Sequence, residues 1–265
     1  MTIQSIRPRF TRLAALTTLL LACLSGPASL APAAADEVLV AVAANFTDVV
    51  KELTPVFESR SGHTLAVTVG STGKLYAQIK NGAPFEVLLA ADQERPELLE
   101  SEGDGVAGTR FTYAVGRLAL WSADPDRIGE DPKAALTADK TRHIAIANPE
   151  LAPYGIAAKE TLQALGLWDE LHPRIVMGEN IGQTFTMAAT GNAQMGFVAL
   201  SAVLAPGNSQ KGSRWDVPAE HYSAIRQDAV LLKAGADSAA AQAFLSFLKS
   251  DEALAVIERY GYGVE

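Results

Sequence analysis

From Asp36 onward the chain alternates short apolar runs with stretches whose apolar residues recur at helical spacing. Val38 to Ala43 (VLVAVA) is nearly continuous and rich in β-branched residues, the pattern of a strand buried on both faces. Val49, Val50, Leu53, Val56 and Phe57 then fall at helical spacing. Leu65 to Val69 reads as a second strand, Leu75 to Ile79 opens a helix closed by Asn81-Gly82, and Phe85 to Ala90 reads as a third strand. Further strands are expected at Leu118 to Trp121, Ile144 to Ala147, Gly196 to Leu200 and Ala229 to Lys233, with a long helix from Ile156 to Leu165. The C-terminal run Ala239 to Ile257 is expected to be helical, with Phe244, Phe247, Leu248, Leu254 and Ile257 on one face. Alternation of this kind implies βαβ units and a mostly parallel sheet. There is no internal repeat, low-complexity tract or long linker, so two compact α/β halves in one continuous chain is the economical organisation.

The first 35 residues follow a different pattern. Arg7, Arg9 and Arg12 form a positive region without an acidic residue, and Leu13 to Leu24 is an apolar run too short to span a bilayer. A Pro/Ala/Ser stretch then ends in Ala33-Ala34-Ala35. Residues 1–35 are therefore expected to be a cleaved secretory signal peptide, and the protein to be periplasmic. A second reading stays open: Leu20-Leu21-Ala22-Cys23 resembles a lipobox, which would place a lipid anchor on Cys23.

Composition narrows the function. With 48% hydrophobic and 20% charged residues over 265 positions the chain is globular rather than generally disordered. Losing the leader removes three Arg and no acid, which takes the net charge from −8 to −11. That balance argues against nucleic acid, whose phosphates need a basic face. One Cys excludes an internal disulfide and a Cys-based zinc site. Enzyme signatures are mostly absent: no G-x-S-x-G elbow, no phosphate loop, no G-x-G-x-x-G, and four histidines (His63, His143, His172, His221) scattered singly. The expectation is a binding protein, with no cofactor, rather than an enzyme.

What recurs is a strand, a small polar turn and a helix start. Ala43-Ala44-Asn45-Phe46-Thr47-Asp48, Gly70-Ser71-Thr72-Gly73, the stretch Asn148 to Gly155 and the stretch Gly178 to Thr184 all have this form. A helix N-terminus presents unpaired N–H groups and about half a positive charge, which suits an anion. Each turn alone is an ordinary capped helix start. Four of them, two in each α/β half and at the carboxyl ends of strands where such folds bind ligands, point to an anion site.

These residues, with AVAANF, GSTGKLYAQIKNGAPFEVLLAADQ, FTYAVGRLALWS, NPELAPYGIAAKETLQALG and GFVALSAV, resemble the periplasmic molybdate-binding proteins of ABC transporters over essentially the whole chain after the leader. GAPFEVLLAADQ and the NP-x-x-APYG-x-A segment carry most of the specificity. The resemblance implies a two-lobed α/β fold, each lobe a mixed, mostly parallel sheet flanked by helices, joined by two hinge crossovers. It places the first lobe at residues 36–115 and 224–265 and the second at 116–223. It also implies a monomer that captures molybdate or tungstate and passes it to a membrane permease.

Carried over by position, the first-turn ligand falls on Asn45, with Ala44 giving its backbone, and the second-turn hydroxyl on Thr72 with Ser71 beside it. In the second lobe the ligands fall on Tyr154 and on the main chain of Ile181. Molybdenum would be held only through its oxygens, by these same residues. Relatives with Ser at the first position carry a ligand Tyr at the place of Ala199, whereas Asn45 with Tyr154 matches a subgroup in which the third-turn Tyr takes over. On that pattern Tyr154 gives both a main-chain N–H and its phenol. A fully ionised dianion has no proton to give, so its site wants donors only. Asp48, Asp92 and Glu179 are accordingly read as helix-start charges or hinge contacts. Another tetrahedral anion such as sulfate, or a secreted hydrolase acting on anionic esters, remain the alternatives at this point.

Overall fold

A computed structural model describes residues 1–2, 35–209 and 211–265. The leader residues 3–34, Cys23 among them, lie outside the described residues. In chain order the strands are β1 (Glu37–Ala43), β2 (Thr64–Gly70), β3 (Val87–Leu89), β4 (Phe111–Gly116), β5 (Leu118–Ser122), β6 (Ile144–Ala147), β7 (Ile175–Gly178), β8 (Met195–Ala199), β9 (Ser213–Asp216) and β10 (Ile225–Leu231). The helices are α1 (Thr47–Ser61), α2 (Thr72–Lys80), α3 (Glu94–Glu102), α4 (Pro132–Thr137), α5 (Pro153–Ala164), α6 (Trp168–Leu171), α7 (Ile181–Ala189), α8 (Leu200–Leu204), α9 (Ala239–Leu248) and α10 (Asp251–Arg259).

The strands form two five-stranded sheets, ordered β2-β1-β3-β10-β4 and β7-β6-β8-β5-β9. Both are mixed. Parallel pairing joins β1 to β2 and β3, and β6 to β7 and β8. By contrast β10 runs antiparallel to β3 and β4, and β5 antiparallel to β8 and β9. The antiparallel members are those next to the places where the chain changes sheet: from β4 to β5 through Arg117, and back from β9 to β10. Two α/β lobes with mixed sheets and two crossovers are the architecture that the sequence led us to expect.

Each lobe packs helices on both faces of its sheet. In the first, Val38, Val40 and Val42 of β1 point to Val49, Leu53 and Phe57 of α1 and to Phe244 and Leu248 of α9. Ala41 and Leu88 face Leu75 and Ile79 of α2 and Leu99 of α3. The second lobe repeats the scheme, with Ile144, Ile146 and Phe197 against Tyr154, Ala158 and Leu162 of α5 on one face. Ala119, Trp121 and Val198 pack against Ala188 of α7 and Leu200 of α8 on the other. The continuous apolar runs of β1, β6 and β8 are thus explained by burial on two sides.

Several elements differ in outline from the sequence pattern: strands β4 and β7 were not expected from it, and Leu200, placed in a strand, opens α8. The C-terminal run is two helices rather than one, because Ser250 takes an extended conformation (φ −74°, ψ 149°) and caps α10 through Ala253 N–H. Strand β9 (SRWD) carries two charged residues in four and has no apolar pattern to announce it. Among the described residues no helix is long and apolar enough to cross a membrane.

Candidate functional site

All six residues singled out from the sequence line one small cavity between the lobes. Ala44 and Asn45 form a 3-10 turn that continues β1 into α1. Ser71 is the N-cap of α2 and Thr72 its first residue. Tyr154 is the second residue of α5, after Pro153, and Ile181 the first of α7. Ala43, Ala91, Ala152, Pro153 and Asn180 complete the wall. Helix starts from both lobes therefore converge on one point. The first-turn positions of Thr72, Tyr154 and Ile181 leave main-chain N–H groups that helix geometry does not pair. Their combined dipoles favour negative charge.

The wall contains no Asp, Glu, Lys, Arg or His. Asp48, Lys51 and Glu52 line a wider open groove that shares Ala44, Asn45 and Asn180 with the cavity. Asp92 is a helix-start charge. Its carboxylate accepts from Arg95 N–H at 3.0 Å and pairs with the Arg95 guanidinium at 2.5 Å. Burial raises its pKa, and Arg95 pulls it back down. Glu179 pairs with Lys74 at 2.5 Å across the cleft, and that bond lowers its carboxyl. None of these carboxylates lines the cavity.

Two hydroxyls belong to the cavity. Ser71 is 3% exposed, and its Oγ is buried without a hydrogen-bond partner. Serine at an N-cap ordinarily accepts from the helix's own N–H groups, and this one does not. Thr72, also buried, accepts from Ala91 N–H at 3.0 Å through Oγ1, which leaves its own proton to donate.

The side chains of Asn45 and Tyr154 are occupied differently from what the resemblance implied. Asn45 Nδ2 donates to Gln227 Oε1 at 2.7 Å and to Tyr262 OH at 3.0 Å, which engages both amide protons inside the first lobe. The Tyr154 hydroxyl accepts from Gln227 Nε2 at 3.2 Å. It lies over the crossover at Gly116, where a Cβ would stand 2.2 Å from it; that position has room only for glycine. Both residues face the cavity, but their side-chain polar groups join a buried network with Tyr113, Gln227, Tyr262 and Ser201. Burial pushes the phenols of Tyr113 and Tyr154 well above their ordinary range, and that of Tyr262 to about 12.

Sequence reasoning missed this network. Gln227 and Asp228 interrupt the apolar run of β10 and are fully or almost fully buried. Adjacent polar residues inside such a run are a sign of buried hydrogen bonding. Tyr262 carried no comparable signal, because it lies beyond the last helix. Ala199 is buried at the end of β8, in the same apolar cluster as Tyr154. Among the described residues no group of three or more His, Cys, Asp or Glu is placed to hold a metal ion.

Comparison with known proteins places these observations. The family described as bacterial extracellular solute-binding protein matches residues 38–263. A molybdate-binding protein ModA of Rhodobacter capsulatus is 52% identical over 234 residues, covering 88% of this chain and 91% of the relative. Its namesake from Azotobacter vinelandii is 51% identical over 233 residues, with 88% and 92% covered. The solved structure of the Azotobacter vinelandii periplasmic molybdate-binding protein superposes with a TM-score of 0.82 at 41% identity, covering 86% of this chain and 99% of that one.

Proposed function

The chain belongs to the bacterial extracellular solute-binding proteins, and from that premise we propose that it captures molybdate outside the cytoplasmic membrane and delivers it to the permease of an ABC importer. It is a transport protein, not an enzyme, and it needs no cofactor; molybdate is its ligand. Tungstate, the same tetrahedral dianion in shape and charge, is the second ligand of this reading. The protein acts as a monomer in the periplasm once residues 1–35 are removed. The first lobe is residues 36–115 with 224–265 and the second 116–223, a division supported by the membership of the two sheets.

The observation that carries the reading is the Ser71 hydroxyl, buried and unpartnered in a cavity walled by donors and apolar atoms. A buried donor left unpaired costs about 1–3 kcal/mol, so it calls for an acceptor from outside the chain. In this arrangement the hydroxyls of Ser71 and Thr72 and the main-chain N–H groups of Ala44, Asn45, Tyr154 and Ile181 hold the oxygens. Asn45 and Tyr154 serve through their backbones, while their side chains brace the wall. A wall without a carboxylate suits an anion that carries no proton. A wall without Lys or Arg relies on aligned dipoles and on hydrogen bonds to charge, individually worth about 1.5–3 kcal/mol.

Isothermal titration with molybdate, tungstate, sulfate and phosphate tests the proposal. Tight binding of molybdate and tungstate, with sulfate and phosphate much weaker, is the expected result. Preference for sulfate, or binding of none of the four, would overturn it.

A further inference from the structure

Behind the cavity the lobes are joined by the buried bonds of Tyr154 with Gln227 and of Ser201 with Asn45 and Tyr262; at the mouth of the cleft they touch through a few further polar contacts. Lys74 pairs with Glu179, and Arg95 Nη2 reaches Glu150 O at 3.4 Å. Both involve long, partly exposed side chains that can adjust. A third contact cannot: Gly73 N–H, at the second position of α2, donates to Leu151 O at 2.9 Å, main chain to main chain.

That bond exists because residue 73 has no side chain. A Cβ on Gly73 would stand 3.1 Å from both Cα and O of Leu151. Neither side gives way readily. Leu151 lies in a turn whose N–H groups at Glu150, Leu151 and Ala152 are all held by Asn148, at 3.0, 3.0 and 2.9 Å. On the other side α2 is anchored by buried Thr72 and Leu75. Nothing within the first lobe asks for glycine here, since Gly73 is not among the residues with positive φ. Inside a helix glycine is about 1 kcal/mol worse than alanine.

The pseudo-equivalent glycine of the second lobe behaves differently. Gly182 holds the second position of α7, and its Cβ would meet the opposite lobe only at Ala44 Cβ, 3.9 Å away, an ordinary contact. The seam is tight at Gly73 and loose at Gly182.

We propose that Gly73 sets how closely the lobes meet at the mouth of the cleft, and that its bond to Leu151 governs the lifetime of the loaded, closed protein rather than the rate of capture. The inference rests on the oxyanion-capture reading above. Gly73 does not touch the anion. It is a positioning residue that ties the helix carrying Ser71 and Thr72 to the turn preceding Tyr154, so that donors from the two lobes stay aligned on one ligand.

The test compares Gly73→Ala and Gly182→Ala with the unaltered chain, using stopped-flow fluorescence with molybdate and thermal unfolding with and without it. Gly73→Ala should raise the molybdate dissociation rate by about tenfold or more, while the association rate moves by no more than about twofold. Its ligand-free Tm should stay level or rise, as helix propensity dictates, and the gain in Tm on adding molybdate should shrink. Gly182→Ala should alter dissociation by less than about threefold, since across the cleft its methyl meets only an ordinary contact and its nearer neighbour, Asn180 Oδ1 at 3.2 Å, is a side-chain atom of its own lobe that can give. An unchanged dissociation rate in Gly73→Ala overturns the inference alone. So does an equal effect of the two alanines, or a fall in ligand-free Tm that accounts for the weakened binding. Failure of the unaltered chain to bind molybdate overturns the functional reading, and the inference with it.

Discussion

Ser71 and Ser250 hold the same position on two helices and behave in opposite ways. Each is an N-cap, of α2 and α10 respectively, and their backbones are nearly superimposable, at φ −72°, ψ 149° and φ −74°, ψ 149°. Ser250 accepts from Ala253 N–H at 3.3 Å and so caps its helix. Ser71 caps nothing, although it is the more deeply buried of the two. Local conformation therefore does not explain the difference. Surroundings do: Ser250 sits at a partly exposed joint between two helices, and Ser71 looks into the cavity where helix starts of both lobes converge. A helix that forgoes a cap worth about 1 kcal/mol and leaves a hydroxyl buried without a partner breaks two stability rules at once. Such breaches concentrate where a residue serves a ligand rather than the fold.

The sharpest way to break the comparison is to remove both hydroxyls in turn. Ser71→Ala should weaken molybdate binding by about 1.5–3 kcal/mol, roughly ten- to a hundredfold, because an anion oxygen loses a buried donor. Its ligand-free Tm should hold or rise, since an unsatisfied group has gone. Titration calorimetry and thermal unfolding read the two effects separately. A lowered Tm with unchanged affinity would make Ser71 an ordinary structural serine.

Tyr154→Phe sharpens the contrast with a hydroxyl that the protein satisfies itself. The phenol accepts from Gln227 Nε2, so its removal strands that buried donor and should cost about 1–3 kcal/mol of stability in the ligand-free protein. Affinity should fall less than in Ser71→Ala. The reverse outcome, a large affinity loss at unchanged Tm, would hand the phenol back to the anion.

Tyr154 also shows where sequence reading stops. The four turns around the cavity were legible because strand, small polar turn and helix start follow one another in a fixed order, whereas the choice of Ala44, Asn45, Ser71, Thr72, Tyr154 and Ile181 on them came from the family resemblance. The strands β1, β6 and β8 were legible because burial on two faces writes a continuous apolar run. The direction of a side chain within the turn was not legible. Whether the Asn45 amide and the Tyr154 phenol face the cavity or the interior depends on Gln227 and Tyr262, which are 182 and 217 positions from Asn45 in the chain. The orphaned Ser71 hydroxyl was hidden for a related reason. A serine before a helix reads as a cap, and only the packed structure shows that it is not one.

Ser250→Ala supplies the converse of Ser71→Ala with a smaller effect. It should lower stability by about 1 kcal/mol, as loss of an N-cap does, while molybdate affinity stays the same. Chemical denaturation read alongside titration calorimetry checks both halves. An affinity change would mean that the α9–α10 joint communicates with the cleft, and the two serines would no longer separate cleanly into one for the fold and one for the ligand.

The smallest effect is expected from pH, and it asks whether a hydroxyl such as Ser71 rather than a titrating group holds the anion. Serine and threonine hydroxyls and peptide N–H groups do not ionise near neutrality, and no charged side chain lines the cavity. The phenols behind the wall are raised by burial, Tyr262 to about 12, so they keep their protons throughout the neutral range. A phenol whose folded pKa lies above its unfolded value of roughly 10 contributes stability that is fully present below that value and lost as pH climbs past it. Stability should therefore fall only in strong alkali from this cause. The dissociation constant for molybdate should change by less than about twofold between about pH 6 and 8, since nothing at the anion gains or loses charge there. Titration calorimetry at three pH values across that window is sufficient. A swing of about tenfold, or 1.4 kcal/mol, would require a histidine or carboxylate against the anion, and the assignment of the donors around Ser71 would then be wrong.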